Sequence, residues 1–255
     1  HRTLTHRTLT HRTLTHRTLT HRTLTHRTPT HRTSTPRASK NRVRSLSIPA
    51  LPTAVAPARM VWLPGAYHAA QDFLAAGFAD AVRIRQVALD LIFVDMELQH
   101  LGDRSALQRL RSDIVLPARA AGVSIWLGGI SLGGLIALDY AASYPDEFGG
   151  LCLLAPYLGN RNLTAEIAQA RGPAGWQPGE LAETDEERRI WRYIKTRRAD
   201  SRPLYLGFGR GDRFSAAHEL LAATLPADAV DVIAGGHEWS TWFRLWENFL
   251  ESRFK

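Results

Sequence analysis

From Met60 onward, short apolar runs take turns with amphipathic stretches, and few folds satisfy that texture. It predicts βα units: strands buried in a mostly parallel sheet, with helices laid over its faces. Six strands are expected, at Val61–Leu63, Leu89–Val94, Ser124–Leu127, Leu151–Leu154, Leu204–Phe208 and Val230–Ile233. Helices are expected at Ala70–Ala79, Ser105–Ala121, Leu132–Ser143, Ala216–Thr224 and Thr241–Ser252. The last has the clearest stripe. Trp242, Leu245, Trp246, Phe249 and Leu250 recur at helical spacing, while Arg244, Glu247, Asn248 and Glu251 fill the opposite side, so this helix should pack on the sheet.

Residues 157–203 interrupt the alternation with Gly172-Pro173, Pro178-Gly179 and a charged helical stretch. Thr184 with Glu187 predicts a capping box there, with acids at the start and Lys195, Arg197 and Arg198 at the end suiting the helix dipole. The segment reads as an inserted cap or lid.

The first 44 residues are a different material. His-Arg-Thr-Leu-Thr repeats in tandem from His1 to Thr25, followed by two variants of the same pentapeptide ending at Thr35. A five-residue period matches neither strand nor helix, so no continuous apolar face forms and a disordered tail is expected over 1–44. Pro49, Pro52 and Pro57 make 45–59 a linker, and 60–255 the folded domain. The formal charge of +8 belongs to the tail: residues 1–44 carry ten arginines and one lysine and no carboxylate, while acids slightly outnumber bases in the rest. The domain is therefore not expected to bind nucleic acid specifically. A nonspecific tether to an anionic polymer or membrane surface is the tail's rival to a simple low-complexity expansion, with Met60 as an alternative start.

A single cysteine, Cys152, excludes an intramolecular disulfide and any cysteine cluster for a metal. No apolar run approaches the ~20 residues that span a bilayer, and no apolar signal core opens the chain, so a cytoplasmic location is expected.

Three strand ends carry the chemistry. Ser124–Leu127 runs through Gly129-Ile130-Ser131-Leu132-Gly133-Gly134 directly into a helix. This is G-x-S-x-G in strand–turn–helix context: a serine raised on a sharp turn needs small residues two positions to either side. The fifth strand ends in Gly209-Arg210-Gly211-Asp212-Arg213 and the sixth in Gly235-Gly236-His237. In open α/β sheets such ends line one crevice, so a nucleophile, an acid and a base far apart in the chain converge there. Each alone is as well explained by a turn or a core histidine; their joint placement in the order Ser, acid, His favours a catalytic set. Asp231, inside a strand, and Glu238, next to the histidine, are weaker candidates for the acid.

From Met60 to the C-terminus the chain resembles α/β-hydrolases of the small bacterial esterase or lysophospholipase-like kind, through Pro-Gly-Ala-Tyr, Gly-Ile-Ser-Leu-Gly-Gly, Gly-Arg-Gly-Asp-Arg-Phe and Gly-Gly-His-Glu-Trp-Ser-Thr-Trp. The resemblance implies a serine hydrolase cleaving a small-molecule carboxylic ester or thioester, with Ser131 as nucleophile, His237 as base and Asp212 as orienting acid. It implies an oxyanion hole from the N–H groups of Leu132 and Ala66, with Tyr67 the alternative to Ala66, and neither metal nor organic cofactor. The sheet is expected to be reduced to about six strands, because no room is apparent before Met60 for the first two of the common eight. Among the aromatics near the site, Tyr67, Tyr157 and Trp239 are the expected substrate contacts, ahead of Trp176 and Trp242. Arg210 and Arg213 are candidates for an anionic substrate group, and His100 and Asp103 for the cleft edge. The alternative reading is a non-hydrolytic ligand-binding or regulatory protein on the same fold.

Overall fold

The computed structural model describes residues 43–51, 54–95, 104–198 and 201–254. The expected tail over residues 1–42, His100 and Asp103 lie outside them. The chain forms a sheet in which seven strands are described: β1 (Ser45–Ile48), β2 (Ala58–Leu63), β3 (Leu89–Val94), β4 (Ser124–Ile130), β5 (Gly150–Leu154), β6 (Leu204–Gly209) and β7 (Val230–Ile233). Their order is β1-β3-β2-β4-β5-β6-β7. All neighbours are parallel except β1 and β3. The chain steps from β2 to β3 on one side and resumes at β4 on the other, so the order reverses around β2 and β4. A crevice opens outside the strand ends at such a point.

Each of β3, β5 and β6 is buried along its whole length, as expected for strands covered on both faces. One cover is α9 (Trp239–Arg253), whose Trp242, Leu245, Trp246, Phe249 and Leu250 are all buried. The Trp246 ring meets Trp62 of β2 edge-on at 5.1 Å, and its Nε1–H donates to the Phe78 carbonyl at 3.0 Å. The indole thus packs its apolar body against the sheet and still finds a polar partner.

The sheet has one strand more than expected, and it comes from the segment read as linker. Ser45-Leu46-Ser47-Ile48 alternates strictly, with Leu46 and Ile48 half-buried and the serines exposed. It pairs antiparallel with β3 from Ser45 opposite Val94 to Ile48 opposite Leu91. Asp95 N–H donates to Arg44 O at 2.8 Å, and Ala50 N–H to the Asp90 carboxylate at 2.9 Å. The nearby prolines mask a four-residue edge strand, and edges are where proline-flanked strands occur. So there is room before Met60 for one of the two strands thought missing.

Met60 as a start is at odds with this arrangement. A chain beginning there loses β1, the first two residues of β2 and the Arg59–Asp90 ion pair at 3.6 Å, and it bares the apolar stretch Leu91–Val94 along the edge of β3. We expect a chain starting at residue 43 to melt like the full one. A chain starting at Met60 should be largely insoluble, as measured by soluble yield and circular-dichroism melting.

Two expected helices are broken for local reasons. The first divides into α1 (Ala70–Ala75) and α2 (Phe78–Ile84) at Gly77, whose φ of 86° no helix accommodates. The second is continuous in direction but changes pitch: α3 (Ser105–Leu110) passes through a π-helical turn (Arg111–Val115) into α4 (Leu116–Ala120). Pro117 has no N–H for the carbonyl four residues earlier, and the wider turn relieves the clash. Then come α5 (Leu132–Ser143), α6 (Arg161–Gln169), α7 (Glu186–Thr196) and α8 (Ser215–Ala222).

Helices α6 and α7 occupy the insertion between β5 and β6. The cap of α7 is Asp185, which accepts from Arg188 N–H at 3.0 Å, in place of the expected Thr184–Glu187 box. Glu187 is engaged elsewhere: its carboxylate accepts from Asn160 N–H at 3.0 Å, Asn160 Nδ2 at 2.6 Å and the Tyr157 hydroxyl at 3.0 Å.

Candidate active site

The turn after β4 places Ser131 at φ 52°, ψ −116°, a region costing a non-glycine residue about 1–3 kcal/mol. Neighbouring backbone holds it there. Ser131 N–H donates to Leu154 O at 3.1 Å, and Ser131 O accepts from Tyr157 N–H at 2.7 Å and Gly134 N–H at 2.9 Å. The flanking glycines are required by space: a β-carbon at Gly129 would lie 2.3 Å from Gly133 O, and one at Gly133 would lie 2.0 Å from Leu63 O. The strand before and the helix after the serine are thus pressed together, which raises its side chain above the sheet.

Asp212 sits in the turn after β6, with its N–H bonded to Gly209 O at 3.0 Å. Its carboxylate is buried and accepts from Phe214 N–H at 2.8 Å and from His237 Nδ1 at 2.7 Å. Burial pushes this carboxyl up, but the hydrogen bonds from His237 and Phe214 outweigh it and hold it below the ordinary carboxylate value. An ionised Asp212 can only accept, so Nδ1 of the imidazole carries a proton, and in the neutral ring this leaves the lone pair on Nε2. That nitrogen lies 2.9 Å from Ser131 Oγ.

Packing and backbone pairing fix the imidazole. Its ring meets Phe214 at 5.2 Å and Trp242 at 5.0 Å, both edge-on. The loops after β6 and β7 are tied by Arg210 N–H to Ile233 O at 2.8 Å and Gly211 N–H to Gly235 O at 2.9 Å. The two residues that must meet across 25 positions of sequence are therefore carried on one stitched edge.

The loop after β2 closes against the serine. His68 N–H donates to Gly65 O at 3.2 Å, making a turn with Ala66 and Tyr67 at its centre and Tyr67 at φ 63°. A β-carbon at Gly65 would lie 3.0 Å from His68 Nδ1 and 3.4 Å from Ser131 Cβ, so glycine leaves room for His68 in the turn, and this backbone runs in contact distance of Ser131. Ala66 N–H is not consumed by the turn's own hydrogen bond, and Leu132, the first residue of α5, has no carbonyl one turn back within its helix to receive its N–H.

These elements enclose a cavity of about 420 Å³. Ser131, His237, Ala66, His68 and Trp242 line it with Trp239, and Tyr67, Arg213 and Glu238 stand at its exposed margin. Of the expected substrate contacts, Tyr67 and Trp239 are at the cavity and Tyr157 is not; its hydroxyl is bonded to Glu187, and burial, helped by that bond, pushes it up to about 12. Among the described residues no lining side chain comes from 158–198, so the walls belong to the loops after β2, β6 and β7 rather than to the insertion. Trp176 is buried away from the cavity with Nε1–H on Glu166 at 2.8 Å, and Arg210 is exposed in the turn before Asp212. The Asp231 carboxylate accepts from the Tyr205 hydroxyl at 2.9 Å and Asn248 at 2.7 Å, which serves the packing of α9. Glu238 leads into α9 without reaching the imidazole, whose partner is Asp212.

Two histidines escaped the sequence analysis. His68 packs against Trp239 at 5.1 Å and Trp242 at 5.8 Å. Burial pushes its pKa down, His237 adds to the effect and Asp72 opposes it. Its place just past the Gly65 turn was the available signal. His218 of α8 is fully buried, hydrogen-bonded through Nε2 to Pro156 O at 2.9 Å. Burial holds its pKa down at about 4 even though Asp212 pulls it upward. It is therefore neutral at neutral pH and does not compete with His237 as a charged partner of Asp212.

A crossover-connected parallel sheet with an antiparallel edge strand and a serine on the turn after its central strand is the α/β-hydrolase fold, and comparison with solved structures agrees. A fluorophosphonate-binding serine hydrolase of Staphylococcus aureus superposes with a TM-score of 0.58 at 12% identity, over 82% of this chain and 98% of that one. The S. aureus S-formylglutathione hydrolase gives 0.54 at 14% identity, over 78% and 82%. A monoacylglycerol lipase of Paleococcus ferrophilus gives 0.54 at 15% identity, over 82% and 98%. No curated protein matches the chain. A family profile described as "Putative esterase" matches residues 115–245, just over half of the chain and a span that includes Ser131, Asp212 and His237. The protein belongs to this esterase family. It is a hydrolase acting on ester bonds of a small-molecule substrate, and the non-hydrolytic reading is not favoured. Among the described residues no helix is long and apolar enough to cross a membrane.

Proposed function

We propose that the protein hydrolyses carboxylic esters or thioesters through an acyl-enzyme on Ser131. The observation that carries this reading is the unbroken hydrogen-bonded line from Asp212 Oδ2 through the imidazole of His237 to Ser131 Oγ, at 2.7 and 2.9 Å. His237 Nε2 takes the hydroxyl proton as Oγ attacks the ester carbonyl, and Asp212 holds the tautomer and stabilises the imidazolium that forms. The N–H groups of Leu132 and Ala66 receive the oxyanion, aided by the N-terminus of α5. The imidazolium then protonates the departing alcohol or thiol. Water, deprotonated by the same nitrogen, releases the acid and restores the serine.

A 4-nitrophenyl alkylphosphonate tests the covalent step, because its tetrahedral adduct persists after the leaving group departs. Inactivation should release one nitrophenol per chain, with the adduct mass on the peptide containing Ser131. Labelling at another residue, or activity that survives complete labelling, would refute the assignment.

A further inference from the structure

We propose that the esters this site prefers carry a carboxylate a few bonds from the scissile carbonyl, and that Arg213 receives it. The proposal rests on the acyl-enzyme reading above and names the substrate class for the same cavity.

Arg213 follows the orienting acid directly and lines the same cavity as Ser131 and His237. Its guanidinium lies over the Phe214 ring at 4.9 Å, and that ring meets the His237 imidazole at 5.2 Å. The charge is therefore held one aromatic ring beyond the base. The backbone beneath it is fixed, since Phe214 N–H is bonded to the Asp212 carboxylate and Ser215 N–H to the Asp212 carbonyl at 3.0 Å.

Stacking occupies the face of a guanidinium and leaves its edge donors available. Among the described residues Arg213 has no hydrogen bond or ion pair. Several arginines less exposed than Arg213 are spoken for: Arg85 by Glu247 and Glu251, Arg111 by Glu147, Arg188 by Glu166, Arg189 by Asp139. A cation lining a cavity walled by Trp239, Trp242 and His68, and paired with no carboxylate among the described residues, is matched to one that arrives with the substrate. A planar carboxylate accepts two parallel N–H bonds from such an edge. Glu238, which lines the same cavity without pairing with Arg213, adds a negative charge that disfavours a dianion, so a single carboxylate fits better than a phosphate ester.

The measurement is a ratio of kcat/KM values within matched pairs of substrates. On the acyl side 4-nitrophenyl hemisuccinate is compared with 4-nitrophenyl valerate, and on the leaving-group side 4-acetoxybenzoate with its methyl ester. Differences in intrinsic reactivity cancel when the ratio is compared between enzymes. In at least one pair, Arg213→Gln should lower the charged-to-neutral ratio about tenfold, the loss expected of a charge-assisted hydrogen bond. Glu238→Gln should raise the same ratio about threefold by removing repulsion, and added salt should shrink both effects. A general loss of packing would lower both members of a pair together and leave the ratio unmoved. Ratios that agree within twofold between wild type and Arg213→Gln in both pairs would overturn the proposal while leaving the esterase intact. A wild-type enzyme that cleaves no member of either pair would instead overturn the acyl-enzyme reading.

Discussion

Ser131→Ala is expected to lower kcat/KM for 4-nitrophenyl esters on the order of 10⁵-fold while melting within a few degrees of the wild type. The size follows from the role. Without Oγ there is no acyl-enzyme, and what remains is binding together with whatever the two backbone N–H groups do for an attacking water, typically about 10³–10⁴-fold over the uncatalysed reaction. The fold should be indifferent because the substitution keeps the β-carbon. The backbone at φ 52° is held by bonds from Leu154, Gly134 and Tyr157 that involve no side-chain atom of residue 131, so alanine adopts the same strained conformation at the same cost. The hydroxyl itself is bonded to His237 Nε2, which then turns to solvent in the cavity. Steady-state rates and thermal melts of both proteins suffice. A loss of only tenfold would mean that another group attacks the ester.

What the sequence carried and what it hid divide along physical lines. Ser131, Asp212 and His237 were legible as candidates because each follows the end of a strand, and strands announce themselves as short apolar runs: Leu204–Gly209 before Asp212 is buried at every position, and even the half-buried Val230–Ile233 before His237 keeps three apolar residues in four. The stripe of α9 was equally plain, since that one face is buried against the sheet and against Phe78 of α2. The edge strand Ser45–Ile48 is only half-buried, and its two inward residues are too few to stand out between prolines. The lining of the cavity was less legible still. Tyr157 and Trp239 look alike in sequence, both aromatics shortly beyond a strand end, yet Glu187 of α7 takes the tyrosine hydroxyl while Trp239 opens α9 at the cavity. That outcome depends on where a helix thirty residues later docks, which no local pattern records. The same holds for His68, whose place in the wall is set by Trp239 and Trp242 from the far end of the chain.

The choice between two aspartates gives the second large effect. Asp212→Asn should reduce kcat by about 10⁴-fold with the fold preserved, whereas Asp231→Asn should leave kcat within twofold and cost stability. An asparagine at 212 can still accept from Phe214 N–H through its carbonyl, so the turn survives. Its amide, however, then faces His237 Nδ1 as a donor. The imidazole must accept there and carry its proton on Nε2, which points a hydrogen at Ser131 Oγ where the mechanism needs a lone pair. The variant also loses the charge that stabilises the imidazolium, so both functions of the acid disappear together. The carboxylate of Asp231 is committed to the Tyr205 hydroxyl and Asn248 on the underside of α9, and its loss loosens packing without touching the base. Acidification separates the two further. The Asp212 carboxyl is held below its ordinary 3.8, so its contribution to stability is complete above that value and disappears as the pH falls through the lower, folded-state value; the Asn variant should lack this part of the acid-induced drop in melting temperature. Should Asp231→Asn prove the more damaging to kcat, the hydrogen bond that Asp212 accepts from His237 would have to be reassigned to a structural role.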